Sequence, residues 1–158
     1  MSTRCQVQVV VEGGTYMDTS KITLYHHFDG YPTAMLPMFI KAYEVASPGA
    51  HGNAGKVASF LCSVDPGEFE PEERHTLHGD IDWYYRLFPN SWCCGKAKWE
   101  IEVYRVFYVD GVQKRYLVLP RLDLLEANER RLDIEEAGDS GVMLEPRKGA
   151  GVNDRDHR

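Results

Sequence analysis

Residues 5–12, CQVQVVVE, alternate apolar and polar side chains with a period of two. That spacing turns one face of an extended strand into a core and leaves the other outside it. Residues 21–28, KITLYHHF, repeat the pattern. Ile22, Leu24, His26 and Phe28 share one face; Thr23, Tyr25, His27 and Asp29 share the other. Gly13-Gly14 opens the connection between the two strands. Asp29-Gly30-Tyr31-Pro32 stops the second sharply, because Asp-Gly and the position before proline both favour turns.

The period then changes. Leu36, Phe39, Ile40 and Tyr43 recur at helical spacing, which predicts a helix to about Ala46 with Pro37 in its first turn. Asn53 is a candidate N-cap for a second helix reaching about Val64, with Val57, Phe60, Leu61 and Val64 on one stripe. Residues 80–88, DIDWYYRLF, read as a third strand with Ile81, Trp83, Tyr85 and Leu87 on one face. Residues 97–109 read as a long fourth strand, and Asp110-Gly111 marks a hairpin into a fifth, Lys114 to Leu119. Residues 122–136 are charged and helix-prone. The Gly-rich polar stretch beyond Gly138 reads as disordered, or as ordered only on a partner.

The order β-β-α-α-β-β-β predicts a two-layer α+β domain. An antiparallel sheet of about five strands carries two helices on one face and leaves the other face polar and aromatic. Residues 1–120 form this single domain, and 121–158 form a helix-prone extension and flexible tail. A chain of 158 residues suits one domain and buries enough surface to fold without staples. Cys5 and Cys62 fall in strand and helix patterns and read as buried thiols. Cys93-Cys94 reads as a reduced loop pair, since no zinc-binding spacing surrounds it.

The formal net charge is −6, and it is not spread evenly. Asp65, Glu68, Glu70, Glu72, Glu73, Asp80 and Asp82 are opposed within 65–82 only by Arg74, and the rest of the chain balances. This block has too few apolar residues to be core and reads as a surface loop. There is no basic excess, so nucleic acid is disfavoured as a partner. No apolar run approaches the roughly 20 residues of a membrane span. The start of the chain leads straight into a strand with no signal-peptide pattern, which points to the cytoplasm.

Three groups of residues could carry chemistry. His27 and Asp29, two apart on one strand face beside Tyr25, could bind a metal or act as base and orienter, or Asp29 could simply cap the turn. His78, Asp80 and Asp82, at a loop-to-strand junction, are candidate metal ligands or acid/base groups. They are equally explained as a turn followed by a strand start, and no complete ligand motif is present. Tyr25, Tyr84, Tyr104 and Tyr108 fall outward by parity, beside Asp82, Arg86, Glu100 and Glu102. Exposed tyrosine with arginine is interface-like composition.

The opening Thr3-Arg4-Cys5 strand, then Ile22-x-Leu24-Tyr25-x-His27-x-Asp29-Gly30-Tyr31-Pro32 and His78-Gly79-Asp80-Ile81-x-Trp83-x-Tyr85, resemble a family of small uncharacterised proteins of bacteria and their phages. The matching blocks cover roughly residues 3–32 and 78–87. The resemblance implies a phage or mobile-element setting, where small acidic proteins often bind and block a host protein.

The leading expectation is therefore a non-enzymatic accessory protein without a cofactor. It would inhibit a host protein with a basic surface, a nucleic-acid-handling or defence factor for example, from inside the host cytoplasm. Its contacts would come from Glu68, Glu70, Glu72 and Glu73 of the acidic block and from Tyr25, Tyr31, Asp82, Tyr84, Arg86 and Tyr104. The alternative is a small hydrolase acting on a nucleotide or nucleic acid. There a divalent metal would be held among His27, Asp29, His78, Asp80 and Asp82. A homo-oligomeric scaffold is the third expectation.

Overall fold

The computed structural model describes residues 3–13, 18–46, 50–93 and 96–145, apart from the side chains of 90–93 and 96–97. In chain order these form β1 (Cys5–Val11), β2 (Ser20–His26), α1 (Pro32–Val45), α2 (Ala54–Val64) and β3 (Phe69–Pro71). They continue with β4 (Trp83–Cys93), β5 (Lys96–Val109), β6 (Val112–Asp123), α3 (Leu124–Glu129) and α4 (Arg131–Asp139). The Cys94 end of the cysteine pair and the tail beyond 145 lie outside the described residues.

The strands make one six-stranded sheet in the order β3-β2-β1-β4-β5-β6. The two-layer α+β class expected from the sequence is present, with two additions. The first is that the sheet is mixed: β1 pairs antiparallel with β2 but parallel with β4. The chain between β2 and β4 acts as a crossover, which parallel neighbours require. The second is β3, three residues inside the acidic block, which pairs with the outer edge of β2. Period-two alternation cannot reveal a strand this short.

The core lies between the sheet and the helices. Cys5, Val7 and Val9 of β1, Trp83, Tyr85 and Leu87 of β4, and Trp99, Ile101 and Val103 of β5 pack against Phe39, Leu61, Leu124 and Ile134 of the four helices. Cys5 is fully buried, while Cys62 is only half-buried. Asn53 caps α2 as anticipated, its side chain accepting from the Lys56 amide. Asp110 and Gly111 both have positive φ, 51° and 78°, as the tight hairpin between β5 and β6 demands.

Two local expectations are corrected. Proline at the first turn of α1 is Pro32, and Pro37 lies inside the helix, where it has no N–H to offer Thr33. Ile81 does not share the core face of Trp83, because β4 starts only at Trp83. Ile81 instead packs with Tyr25, Tyr84 and Val106 on the opposite face of the sheet.

Two glycines record close approaches. A Cβ on Gly30 would lie 2.7 Å from both Arg4 C and Cys5 N. The turn can therefore lie against β1, with the Gly30 amide donating to Thr3 O and the Tyr85 hydroxyl donating to Gly30 O. A Cβ on Gly138 would lie 2.2 Å from the Trp83 ring, so α4 sits directly on that indole.

Candidate functional site

The sheet face away from the helices is not open. After β3 the chain turns back and lies across it. The Glu72 amide donates to Thr23 O, and the Thr23 hydroxyl meets His75 Nδ1 at 2.7 Å. The Gln6 amide group works in both directions, donating to Thr76 O and accepting from the His78 amide. Gln113 donates to His78 O and the Tyr108 hydroxyl to Gly79 O. Buried polar groups need such partners, and Gln6 at 1% exposure has both of its own.

Tyr25 stands at the centre of this closure. Its ring stacks on His78 with centroids 4.1 Å apart and meets the edge of His27 at 4.8 Å. Its hydroxyl donates to Asp80 Oδ2 at 3.0 Å. Asp80 also receives Arg4 Nη1 at 2.9 Å and faces His78 Nδ1 at 2.7 Å. Two further carboxylates flank the imidazoles, Glu70 at 3.0 Å from His27 and Glu72 at 3.5 Å from His78. Burial, reinforced by the Asp80 carboxylate, pushes the Tyr25 phenol up to about 12. Burial works against the Asp80 carboxylate too, but the bonds from Tyr25 and His78 and the Arg4 charge prevail, holding its pKa below the ordinary value.

His27, His78, Asp80, Tyr25, Glu70 and Glu72 thus come together, as the sequence blocks at 25–31 and 78–82 left open. Asp29 and Asp82 do not join them. Asp29 has a positive φ of 50° and accepts from the Tyr31 hydroxyl at 3.3 Å. Asp82 faces a separate open cavity of about 450 Å³ lined also by Thr3, Tyr31, Trp83, Arg105, Glu135 and Asp139. Among the described residues, no group of three or more His, Cys, Asp and Glu is placed to hold a metal ion.

Arg105 forms the wall of that cavity. Its Nη1 donates to Asp82 O at 2.8 Å and to Val106 O at 3.3 Å. Its guanidinium carbon lies over the rings of Trp83, at 5.1 Å, and Phe107, at 4.8 Å. Carboxylates of Asp139 and Asp82 approach it at 3.5 and 3.7 Å. Glu135 accepts from both the amide and the hydroxyl of Thr33, tying α4 to the start of α1. The carboxylates of Asp29 and Glu135 push the Tyr31 phenol up, with Asp29 the larger influence.

The expected exposed tyrosine face is present at Tyr108, which is 59% exposed, and is corrected at the other three tyrosines. Tyr25 is 5% and Tyr84 3% exposed, because residues 72–82 cover one and Arg115 lies over the other, 5.1 Å from its centroid. Tyr104 is half-buried under the same guanidinium at 4.9 Å. Arg86 and the Tyr104 hydroxyl are both engaged by Glu102, at 3.3 and 3.0 Å. Of the acidic block, Glu70 and Glu73 are exposed and Glu68 and Glu72 are half-buried.

Sequence reasoning passed over Arg4, Arg105, Glu135 and Asp139. A signal for Arg105 existed, since it continues the inward parity of Trp99, Ile101 and Val103. Glu135 and Asp139 are four apart on one helix and so share a face.

The described residues define a two-layer α+β protein whose strand-crossing acidic segment is fastened to the sheet beside an acid-lined cavity. Compared with known proteins, the chain matches no family model, no curated protein and no solved structure. No described helix is long and apolar enough to cross a membrane.

Proposed function

We propose that this chain is a non-enzymatic binding protein of the accessory kind found in phages and mobile elements. It docks on a basic surface of a host protein and blocks it. The observation that supports this most is the fastening of the acidic segment. Carboxylates of residues 65–82 are held by β3 pairing and by bonds to Thr23, Gln6 and Tyr25 rather than carried on a free loop. A pre-ordered charged surface spends less conformational entropy on binding. Contacts to His26, His27 and His78 orient Asp65, Glu70, Glu72 and Asp80, and the seven carboxylates of residues 65–82 stand against a single arginine of that segment, Arg74. The segment therefore retains a negative potential suited to steering a basic partner.

The tyrosines play a different part in this reading from the one their parity suggested. They anchor the segment from beneath, and the partner meets carboxylates. The test is binding of a lysine- and arginine-rich protein to the full chain and to a variant with Glu68, Glu70, Glu72 and Glu73 all changed to Gln. The reading expects tight, salt-sensitive binding by the wild type and much weaker binding by the variant. Equal binding by both refutes the acidic-segment version.

A second reading, the metal-dependent hydrolase, draws on the convergence of His78, Asp80 and Tyr25, which arranges a base and its orienting carboxylate. Purified protein that contains zinc, manganese or magnesium, or whose melting temperature rises with one of them, would favour it.

A further inference from the structure

The cavity beside Asp82 adds a specific element to the partner-binding reading and rests on it. Its volume of about 450 Å³ lies in the range of sites that enclose a side chain or a small molecule. Three carboxylates line it, those of Asp82, Glu135 and Asp139, against the single cation Arg105. One Arg105 nitrogen donates to two backbone carbonyls, and the guanidinium carbon lies over the rings of Trp83 and Phe107. Glu135 is bonded to Thr33. Asp82 and Asp139 each pair with Arg105 through one oxygen, at 3.7 and 3.5 Å, and with side chains 47% and 61% exposed each presents its second oxygen toward solvent. Tyr31 and the largely buried Trp83 also line it. Carboxylates and aromatic faces around one opening recognise organic cations. The cavity is also continuous in the chain with the acidic segment, because Asp80 and Asp82 are two residues apart and Arg4, which holds Asp80, follows Thr3 on the cavity wall.

We infer that this cavity receives one arginine or lysine side chain of the basic partner, held between Asp82 and Asp139, and so anchors the complex. Buried cationic anchors of this kind concentrate binding energy at a few positions.

The experiment is an NMR titration of the full ¹⁵N-labelled chain with agmatine, with butylurea as its uncharged analogue, and with a tetra-arginine peptide. Agmatine should shift the amides of Tyr31, Asp82 and Asp139 and the Trp83 indole, and butylurea should leave them in place. The peptide should shift the same resonances and bind more tightly than agmatine. In Asp82→Asn/Asp139→Asn, peptide affinity should fall about tenfold or more and the agmatine shifts should vanish. Both side chains are exposed enough for the variant to keep the wild-type melting temperature, which is measured alongside. Agmatine without effect on the wild type, or with the same effect on the double variant, overturns the inference. If the peptide then still binds through the acidic segment, the partner-binding reading survives that failure. If agmatine binds but neither the peptide nor any basic protein does, the assignment to a partner's side chain is overturned together with the reading.

Discussion

Asp80 and Tyr25 share one hydrogen bond but impose opposite limits in pH. Asp80 is held ionised below the ordinary carboxylate pKa in the fold. Its contribution is therefore present above about pH 4 and is lost as pH falls through the lowered folded value. Asp80→Asn should flatten the acid limb of stability, read as the urea midpoint between about pH 2 and 5. Tyr25 has its pKa raised from 10.0 to about 12 in the fold. The neutral phenol is the folded form, so stability is complete below pH 10 and falls as pH rises toward 12. Tyr25→Phe should lose less midpoint than the wild type over that interval. The buried Tyr85, whose pKa is also raised, will leave part of the alkaline loss in both proteins. A third residue gives a test of sign. Gly→Ala inside a helix ordinarily stabilises by up to about 1 kcal/mol. At Gly138 the new methyl would meet the Trp83 ring at 2.2 Å, so Gly138→Ala should destabilise by about 1–3 kcal/mol in chemical denaturation.

Among the elements, the back-folded segment 72–82 has the most consequence for function. Gln6 supplies two of its fastenings, its amide pairing with Thr76 and His78. Gln6→Ala removes both bonds and leaves two backbone groups without these partners, at a cost of about 1–3 kcal/mol. Loosening of the segment should show as faster tryptic cleavage after the exposed Arg74, at a rate exceeding that from global unfolding alone. The elements themselves were largely legible in the chain. Period-two runs located β1 and β2, Asn53 located the start of α2, and Asp110-Gly111 located the last hairpin. β3 was not legible, because Phe69-Glu70-Pro71 is a strand only by virtue of pairing with β2. Ile81 was assigned to the wrong face because alternation was extended past the point where β4 begins.

For the whole molecule, the lesson from the sequence is about proximity. Local patterns named most of the charged and aromatic residues that matter, but they could not divide them. The parallel β1–β4 pairing carries His78 and Asp80 to Tyr25 and Arg4 on one face of the sheet. It carries Asp82 to the other side, where α4 supplies Glu135 and Asp139 from far along the chain. That division follows from the crossover, which no local spacing encodes. The charge arithmetic did survive folding in one respect: the −6 that sits in residues 65–82 becomes a fixed rim, bordered at Asp82 by the cavity. The most direct test of partner binding is retention of proteins from a bacterial lysate by the immobilised full chain, with every retained protein identified. Wild type is compared with a variant carrying Glu70→Gln, Glu73→Gln, Asp82→Asn and Asp139→Asn. The account predicts a basic protein retained by the wild type at about 0.05 M salt, released near 0.5 M, absent from the variant, and bound again by the wild type when purified. The same proteins retained by both chains, with no dependence on salt, would contradict it.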